Sequence, residues 1–582
     1  MNPVTPDDDR TSAADASAAV TTKAGTTEAG TTKAGNEAEA ARPGTETDAA
    51  PDMASPPRAR DRARPLTPGL VASLLVDGAI AAVVAVVCVL YRVPPYPSDQ
   101  LNYFDAATTF PSDPTYAAVH QFLRIGLIVP LRLAQEVFGY SQTAYLIVPV
   151  LAALLLVMSV HALGTLLFNR FVGVAAALLT LFSSLVFPDL TQPLPDLMAT
   201  ALLTAALVLT VALRQNRPWA AATRRRRITT LLAVGVLLGW SYLTREYIVF
   251  CWPLVPLLLA RRVRVRQWLW IALPLAVVAV GETALNAVVF HDPLVRLRAA
   301  AEHGSAQPPA SYDYIGRSPW WYLTRLPTIL FTTPEGMFLK AAVAGIVVGA
   351  LFSRRIFFLL VWALLFYVPL VMLGGLIDPE APRLRIPKER YWLPLVPALL
   401  LAAAAGLWLL LDNRARAVPF LRDRTRLAAA VAGVATLVVA AAPAGLAQHA
   451  RVRDMSGPPG QVNQTYAANG GTQWEMFRSW LDAHQGDVHT IWADRRSIRT
   501  VGVFTHPPIG GAFWHGRLRV LSAGARPAAG DHVLLYSAYS DVCWFCRRNE
   551  ERLLGGRPLR PPANWHRVFG SRNRIVEVYQ VR

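Results

Sequence analysis

Apolar runs of about 20 residues, the length a helix needs to cross a hydrocarbon core of about 30 Å, recur along most of this chain. They predict about 11 transmembrane helices, at about 70–91, 143–167, 171–187, 196–213, 228–244, 247–261, 267–290, 335–352, 356–377, 391–411 and 427–447. The run at 247–261 is short and holds Pro253 and Pro256. The stretch Gln121–Gly139 reads differently. Arg124, Arg132 and a central Pro130 interrupt it, which predicts an interfacial helix or a re-entrant pair.

Both flanks lack this pattern. Residues 1–66 are rich in Ala, Thr, Gly, Asp and Glu, with a small repeat over Thr21–Gly35. They hold too little apolar surface to offset chain entropy, so a disordered cytoplasmic tail is expected. The first apolar run begins near Pro68, behind the basic cluster Arg58–Arg64, which argues against a cleaved signal peptide. From residue 448 onward, short apolar runs such as "HVLLYSAY" and "IVEVYQV" alternate with Gly, Pro and charged stretches, predicting a small α/β domain. The expected organisation is a tail over 1–66, a polytopic α-helical membrane domain over 67–447 and an α/β domain over 448–582.

Composition agrees with the hydropathy. The chain is 53% hydrophobic and 16% charged, well below the quarter or so of charged residues in soluble domains. Its formal net charge of +18 raises nucleic acid as a partner, but the distribution excludes it. The Arg clusters Arg58–Arg64, Arg214–Arg227, Arg261–Arg266, Arg354–Arg355 and Arg414–Arg426 sit at alternate ends of the apolar runs. That is the positive-inside pattern of a multi-pass protein in the cell membrane. It predicts a cytoplasmic N-terminus and an extracytoplasmic C-terminal domain. The loops holding Asp99, Pro188–Asp196, Arg245–Glu246, His291–Arg325 and Asp378–Arg390 then share the outer face.

Candidate chemistry collects on that face. "PYPSDQLNYFDAATTFPSD" carries Asp99, Asp105 and Asp113 and no base. Asp196 opens an apolar run, where an acid also serves as a helix-terminal charge. Arg245–Glu246, Arg383, Arg385, Lys388 and Arg390–Tyr391 put cations where orientation rules supply no reason for them. Such a cluster suits an anionic headgroup such as a lipid phosphate, or an ordinary loop paired with Asp378, Glu380 and Glu389. Carboxylates beside a phosphate-binding cation suit glycosyl transfer from a lipid-phosphate sugar. The phosphate is already a competent leaving group, so one base and one cation suffice.

Several stretches resemble the GT-C membrane glycosyltransferases, specifically bacterial relatives of the protein O-mannosyltransferases and lipid A aminoarabinose transferases. "YPSDQLNYFDAA" is similar to their first outer loop, with Asp99 followed by Gln100 where Glu is usual. "FGYSQTAYLIVPV", "LPDLMATALL" with Asp196, "TREYIVF" with Arg245 and Glu246, "FHDPLVRLR" and "RYWLPLVPALLL" with Arg390 and Tyr391 follow in family order over about 70–411. The resemblance implies a hexosyl- or pentosyltransferase that transfers sugar with inversion from a polyprenyl-phosphate donor. The acceptor would be a glycan, lipid or protein, with membrane lipids as further partners. It implies catalytic roles for Asp99 and Asp196, and substrate contacts from Asp105, Arg245, Glu246, Arg390 and Tyr391.

No cofactor is called for with certainty. Some relatives use a divalent metal, but no His/Asp/Glu cluster has ligand spacing, and the adjacent His291 and Asp292 read as loop polarity. Asp77 and His161, each within a span and away from the outer face, read as interhelical hydrogen-bonding residues, and Glu282 and Asn286 as cavity-lining residues. Cys88 and Cys251 lie in apolar runs. "CWFC", Cys543–Cys546, has thioredoxin-like spacing without the expected strand–helix context, so a local disulfide in a loop is expected. Two rival readings remain: a transporter or flippase of a lipid-linked anion, and a non-catalytic membrane assembly protein.

Overall fold

The computed structural model describes residues 68–112, 119–302, 315–332, 336–384, 386, 389–416, 470–507, 514–540, 542–556, 559–571 and 574–582. The N-terminal tail, the run at 427–447, the boundary at 447/448 and the side chains of Asp113, Arg385 and Lys388 lie outside them.

Ten of the predicted spans coincide with helical segments. Among the described residues, seven helices are long and apolar enough to cross a membrane: Val71–Leu90, Gln142–Leu167, Pro195–Arg214, Arg224–Thr244, Val265–Phe290, Arg354–Leu376 and Glu389–Leu409. Three apolar segments are shorter: Arg170–Phe182, Glu246–Leu259 and Ala342–Phe352. Their shortness has local causes. The run expected over 171–187 leaves the helix at Ser183, whose hydroxyl accepts from Leu185 N at 3.3 Å, and re-forms as the single turn Phe187–Asp189. The run over 247–261 divides at Pro253 into the 3-10 turn Glu246–Cys251 and the helix Leu254–Leu259. Gln121–Gly139 contains the 14-residue helix Ile125–Phe138, too short to span.

Helix starts carry their own signals. The side chains of Ser141, Asn169, Thr223 and Ser353 each accept a backbone N–H three residues on, at 3.0–3.4 Å. Pro195 opens Pro195–Arg214 at a position that needs no N–H. Small residues let the helices approach, as expected where lipid supplies no hydrophobic drive. A Cβ on Gly164 would sit 2.7 Å from Gly173 Cα of the neighbouring helix. Gly164→Val is therefore expected to lose about 1–3 kcal/mol, read as a lower melting temperature in nanodiscs. Asp77 and His161 pair across two helices, at 3.1 Å.

The C-terminal region is a mixed sheet. Strands β1 (Thr490–Asp494), β2 (Arg517–Leu521), β3 (His532–Tyr536), β4 (Trp565–Gly570) and β5 (Val576–Val581) take the order β2-β1-β3-β5-β4. β1 runs parallel to β2 and β3, while β5 pairs antiparallel with β3 and β4. Strands β3 and β5 read as apolar runs because they are central and buried. Between β1 and β2, the helix Ser497–Phe504 is buried at all eight positions, because it packs on β1 and β2 on one side and against Asp99–Thr109 on the other. Cys543 and Cys546 form the expected disulfide. Contrary to expectation, "CWFC" follows strand β3 and opens the helix Trp544–Leu553, so the strand–helix context is present. Both cysteines are fully buried, which leaves their sulfurs without access to a redox partner.

Candidate functional site

Four chain segments meet at one end of the helices. Asp99 is the first residue of the helix Asp99–Thr109, and Asp196 the second of Pro195–Arg214. Both therefore lie where the helix dipole favours negative charge. Arg245 ends Arg224–Thr244 as its C-cap, and Arg390 lies in the turn Glu389–Leu395. The basic stretch Arg214–Arg227 occupies the opposite ends of two of these helices. Twenty helical residues separate the two by about 30 Å.

The cluster has two layers. Below, Asp196 is fully buried, accepts from the Tyr247 hydroxyl and forms an ion pair with Arg245, whose Nε stands 2.9 Å away. The Arg245 guanidinium lies 4.8 Å from the Tyr247 ring centroid and 4.7 Å from that of Tyr391. Above, Arg390 Nη2 donates to Asp99 Oδ2 at 2.6 Å, and its Nε stands 3.9 Å from Asp196 Oδ2. The upper side chains are open, Arg390 at 27% and Asp99 at 36% exposure, against 6% for Arg245. Burial pushes the Asp99 carboxyl up, but Arg390, His120 and Arg245 together hold it below the usual carboxylate range. Gln121 Nε2 donates to Asp99 Oδ1 at 3.1 Å.

A cavity of about 380 Å³ adjoins this cluster. His120, Arg124, Glu246, Arg296 and Arg383 line it together with apolar residues that include Leu123, Phe250 and Leu373. Arg124 Nη2 donates to Glu246 Oε1 at 2.9 Å, and Arg296 pairs with Glu282 while standing 3.8 Å from Glu246. Both guanidiniums are about 5% exposed. Arg383, at the cavity's edge, is exposed.

The structure thus brings Asp99, Asp196, Arg245, Arg390 and Tyr391 together, and turns Glu246 into the adjoining cavity. It places Asp105 apart, bound by Arg499 at 3.1 Å and by the Tyr140 hydroxyl. Gln100, where the resemblance leads one to expect Glu, donates to the Gln192 side chain, which in turn donates to Pro188 O at 2.8 Å. Glu282 is taken up by Arg296, and Asp292 by Arg298 at 2.6 Å. Arg124, Arg296, His120, Gln121 and Tyr247 escaped the sequence reading as site residues. Arg124 was visible as a cation interrupting an apolar stretch, and Arg296 stands in "FHDPLVRLR". Among the described residues, no group of three or more His, Cys, Asp or Glu side chains could hold a metal ion. The acids here are instead engaged by guanidiniums, which does not fit a metal centre, so no step is routed through one.

Asp189, beside this cluster, carries a pH signature. Burial pushes its carboxyl up to about 7, aided by the like charges of Asp196 and Glu389 and opposed by Arg390. The folded-state value lies above the ordinary 3.8, so the unfolded chain releases this proton first. Stability is then lost as pH rises from near 4 through about 7. Asp189→Asn is expected to raise the melting temperature, with a gain that grows from about pH 5 to about pH 8.

Comparison with known proteins bears on the central part of the chain. Residues 129–282 match the dolichyl-phosphate-mannose-protein mannosyltransferase family. The matched stretch contains Asp196, Arg245 and Glu246, so the resemblance drawn from those motifs is borne out there. Among solved structures, ArnT from Cupriavidus metallidurans in the apo state is similar at 11% identity, with a TM-score of 0.48 over 88% of this chain and 98% of that one. The same protein bound to undecaprenyl phosphate gives 12% identity and 0.47 over the same shares. An Archaeoglobus fulgidus oligosaccharyltransferase tethered to an acceptor peptide gives 13% and 0.41, over 76% of this chain and 63% of that one. No curated protein sequence matches the chain. Its class is that of a polytopic helical membrane protein with a small C-terminal sheet region.

Proposed function

We propose that the chain is an integral-membrane glycosyltransferase that moves a sugar from a polyprenyl-phosphate donor to an extracytoplasmic acceptor with inversion. The observation that carries this reading is the open Asp99–Arg390 pair, at 2.6 Å, beside a cavity lined by both guanidiniums and apolar side chains. The match to a mannosyltransferase family over residues 129–282 supports it.

The acceptor hydroxyl attacks the anomeric carbon as the bond from that carbon to the phosphate oxygen breaks. The leaving polyprenyl phosphate keeps the electron pair, and the hydroxyl proton passes to Asp99. Arg390 meets the developing phosphate charge, with Arg124, Arg296 and Arg383 around the headgroup. Asp196 and Arg245 are sealed beneath, and their role is to hold Arg390 and Tyr391 in place. The apolar lining residues take the first isoprene units. The cell membrane is the expected location, with the site on the outer side because the Arg-rich loops occupy the other ends of the helices.

The test supplies purified protein in nanodiscs with radiolabelled polyprenyl-phosphate mannose and, separately, the arabinose form, together with cell-envelope acceptors. Release of polyprenyl phosphate with a product of inverted anomeric configuration is expected. Movement of intact donor between leaflets without cleavage would instead make the protein a transporter.

A further inference from the structure

The C-terminal domain reaches the candidate base through a chain of side chains. Arg499, on the buried helix Ser497–Phe504, donates through Nη1 both to Asp105 Oδ2 at 3.1 Å and to the Asn102 side-chain oxygen. Asn102 Nδ2 donates to Gln121 Oε1 at 3.0 Å, and Gln121 Nε2 donates to Asp99 Oδ1 at 3.1 Å. Asp99, Asn102 and Asp105 stand at successive i+3 positions of one helix, which makes them neighbours along its surface.

We infer that Arg499 is a positioning residue for Asp99, acting through Asn102 and Gln121 to set the direction of every hydrogen bond in the relay. The reason is chemical. A carboxamide offers an oxygen that accepts and a nitrogen that donates, and by itself either end fits an amide neighbour. A guanidinium only donates. Arg499 therefore holds the oxygen of Asn102, which leaves the Asn102 NH2 for the oxygen of Gln121. That leaves the Gln121 NH2 for the Asp99 carboxylate. Reversing Gln121 would set its oxygen against the Asp99 carboxylate, and reversing Asn102 would set its oxygen against that of Gln121. Asp105 balances the charge of Arg499 and in turn accepts from the Tyr140 hydroxyl, so the cation is retained where its side chain is 7% exposed. Asp99 thus has one oxygen toward Arg390 and the other held by a donor whose orientation is decided in another domain. Sugar transfer then requires the C-terminal domain to be seated.

The inference rests on Asp99 being the base, and the test separates the two ideas. The full chain in nanodiscs is treated with a carbodiimide and glycine ethyl ester over a pH series. Labelling of the Asp99 peptide is followed by mass spectrometry, alongside release of polyprenyl phosphate from polyprenyl-phosphate mannose and from the arabinose form. The charged groups facing Asp99 in every variant are Arg390, His120 and Arg245. With Arg499→Ala, onset of Asp99 labelling is expected at higher pH. kcat falls about tenfold, the effect of losing one charge-assisted hydrogen bond's worth of stabilisation. KM for the donor stays within about twofold, because no donor contact is removed. Arg499→Lys restores part of both. Asn102→Ala reproduces the effect, and the double variant adds nothing to it. Gln142→Ala removes a 3.2 Å contact to Glu475 on the C-terminal domain, outside the relay, and is expected to leave the labelling profile where it was.

Unmoved labelling and kcat in both Arg499→Ala and Asn102→Ala, or additive losses in the double variant, would overturn the relay. If Arg499→Ala does not fold, Asn102→Ala carries the comparison, since it cuts the same link from within the helix Asp99–Thr109. A shift in labelling in a parent protein that cleaves no donor would leave the relay standing and defeat the proposed function. An active parent whose profile ignores Arg499 would do the reverse.

Discussion

Asp99→Asn is expected to lower kcat by about 10²–10⁴-fold, the range that a positioned general base contributes. The substitution keeps the size of the side chain, so the helix Asp99–Thr109 and its contacts remain. What it removes is the acceptor for the proton of the attacking hydroxyl. It also removes the negative charge that Arg390 meets at 2.6 Å, which loosens that guanidinium's hold there and favours its pairing with the donor phosphate. KM for the donor is therefore expected to stay level or fall while kcat collapses, the pattern of a group used only in the transition state. Release of polyprenyl phosphate under single-turnover conditions measures it. A variant with parental kcat would remove Asp99 from the chemistry.

The largest expected effect on stability belongs to Arg245→Ala. Its partner Asp196 is fully buried, and Arg245 is itself 5% exposed between the rings of Tyr247 and Tyr391. Truncation would leave a carboxylate in the interior with only the Tyr247 hydroxyl and the more distant Arg390. Breaking such a pair by removing one partner costs about 3–5 kcal/mol. A sharp drop in melting temperature and in monodisperse yield is expected, larger than for Arg390→Ala, whose side chain is 27% exposed. Asp196→Asn in the Arg245→Ala background should recover part of the loss, because it removes the orphaned charge. If Arg245→Ala were as stable as the parent, the buried layer would not be what holds this end of the helices together.

How much was legible beforehand differs from residue to residue. The start of Pro195–Arg214 was visible in "LPD", since Pro at a first helical position and an acid in the first turn are local signals. The cations at Arg245 and Arg390 stood out because helix ends on that side have no topological need of them. Charge pattern alone did not separate Asp105 from Asp99, which the family resemblance put forward as catalytic. Both lie in one acidic segment, and the difference is that Asp105 is claimed by Arg499, 394 residues away. Arg124 and Arg296 were read as an interfacial charge and a loop residue, yet the fold sets both in the wall of one cavity.

By itself the sequence determined the helical membrane class, the spacing of its apolar segments and the nature of the C-terminal sheet region. Each of these depends on short-range properties: a helix satisfies its own backbone, a run of about 20 apolar residues suits a bilayer, and buried strands announce themselves in β-branched and aromatic runs. Only the tertiary structure decided which carboxylate meets which guanidinium, which of them stay open, and that the C-terminal sheet region ends in contact with the Asp99 helix. Those pairings are made between segments tens to hundreds of residues apart. A charged side chain carries no mark of its partner until packing brings the two within hydrogen-bond reach.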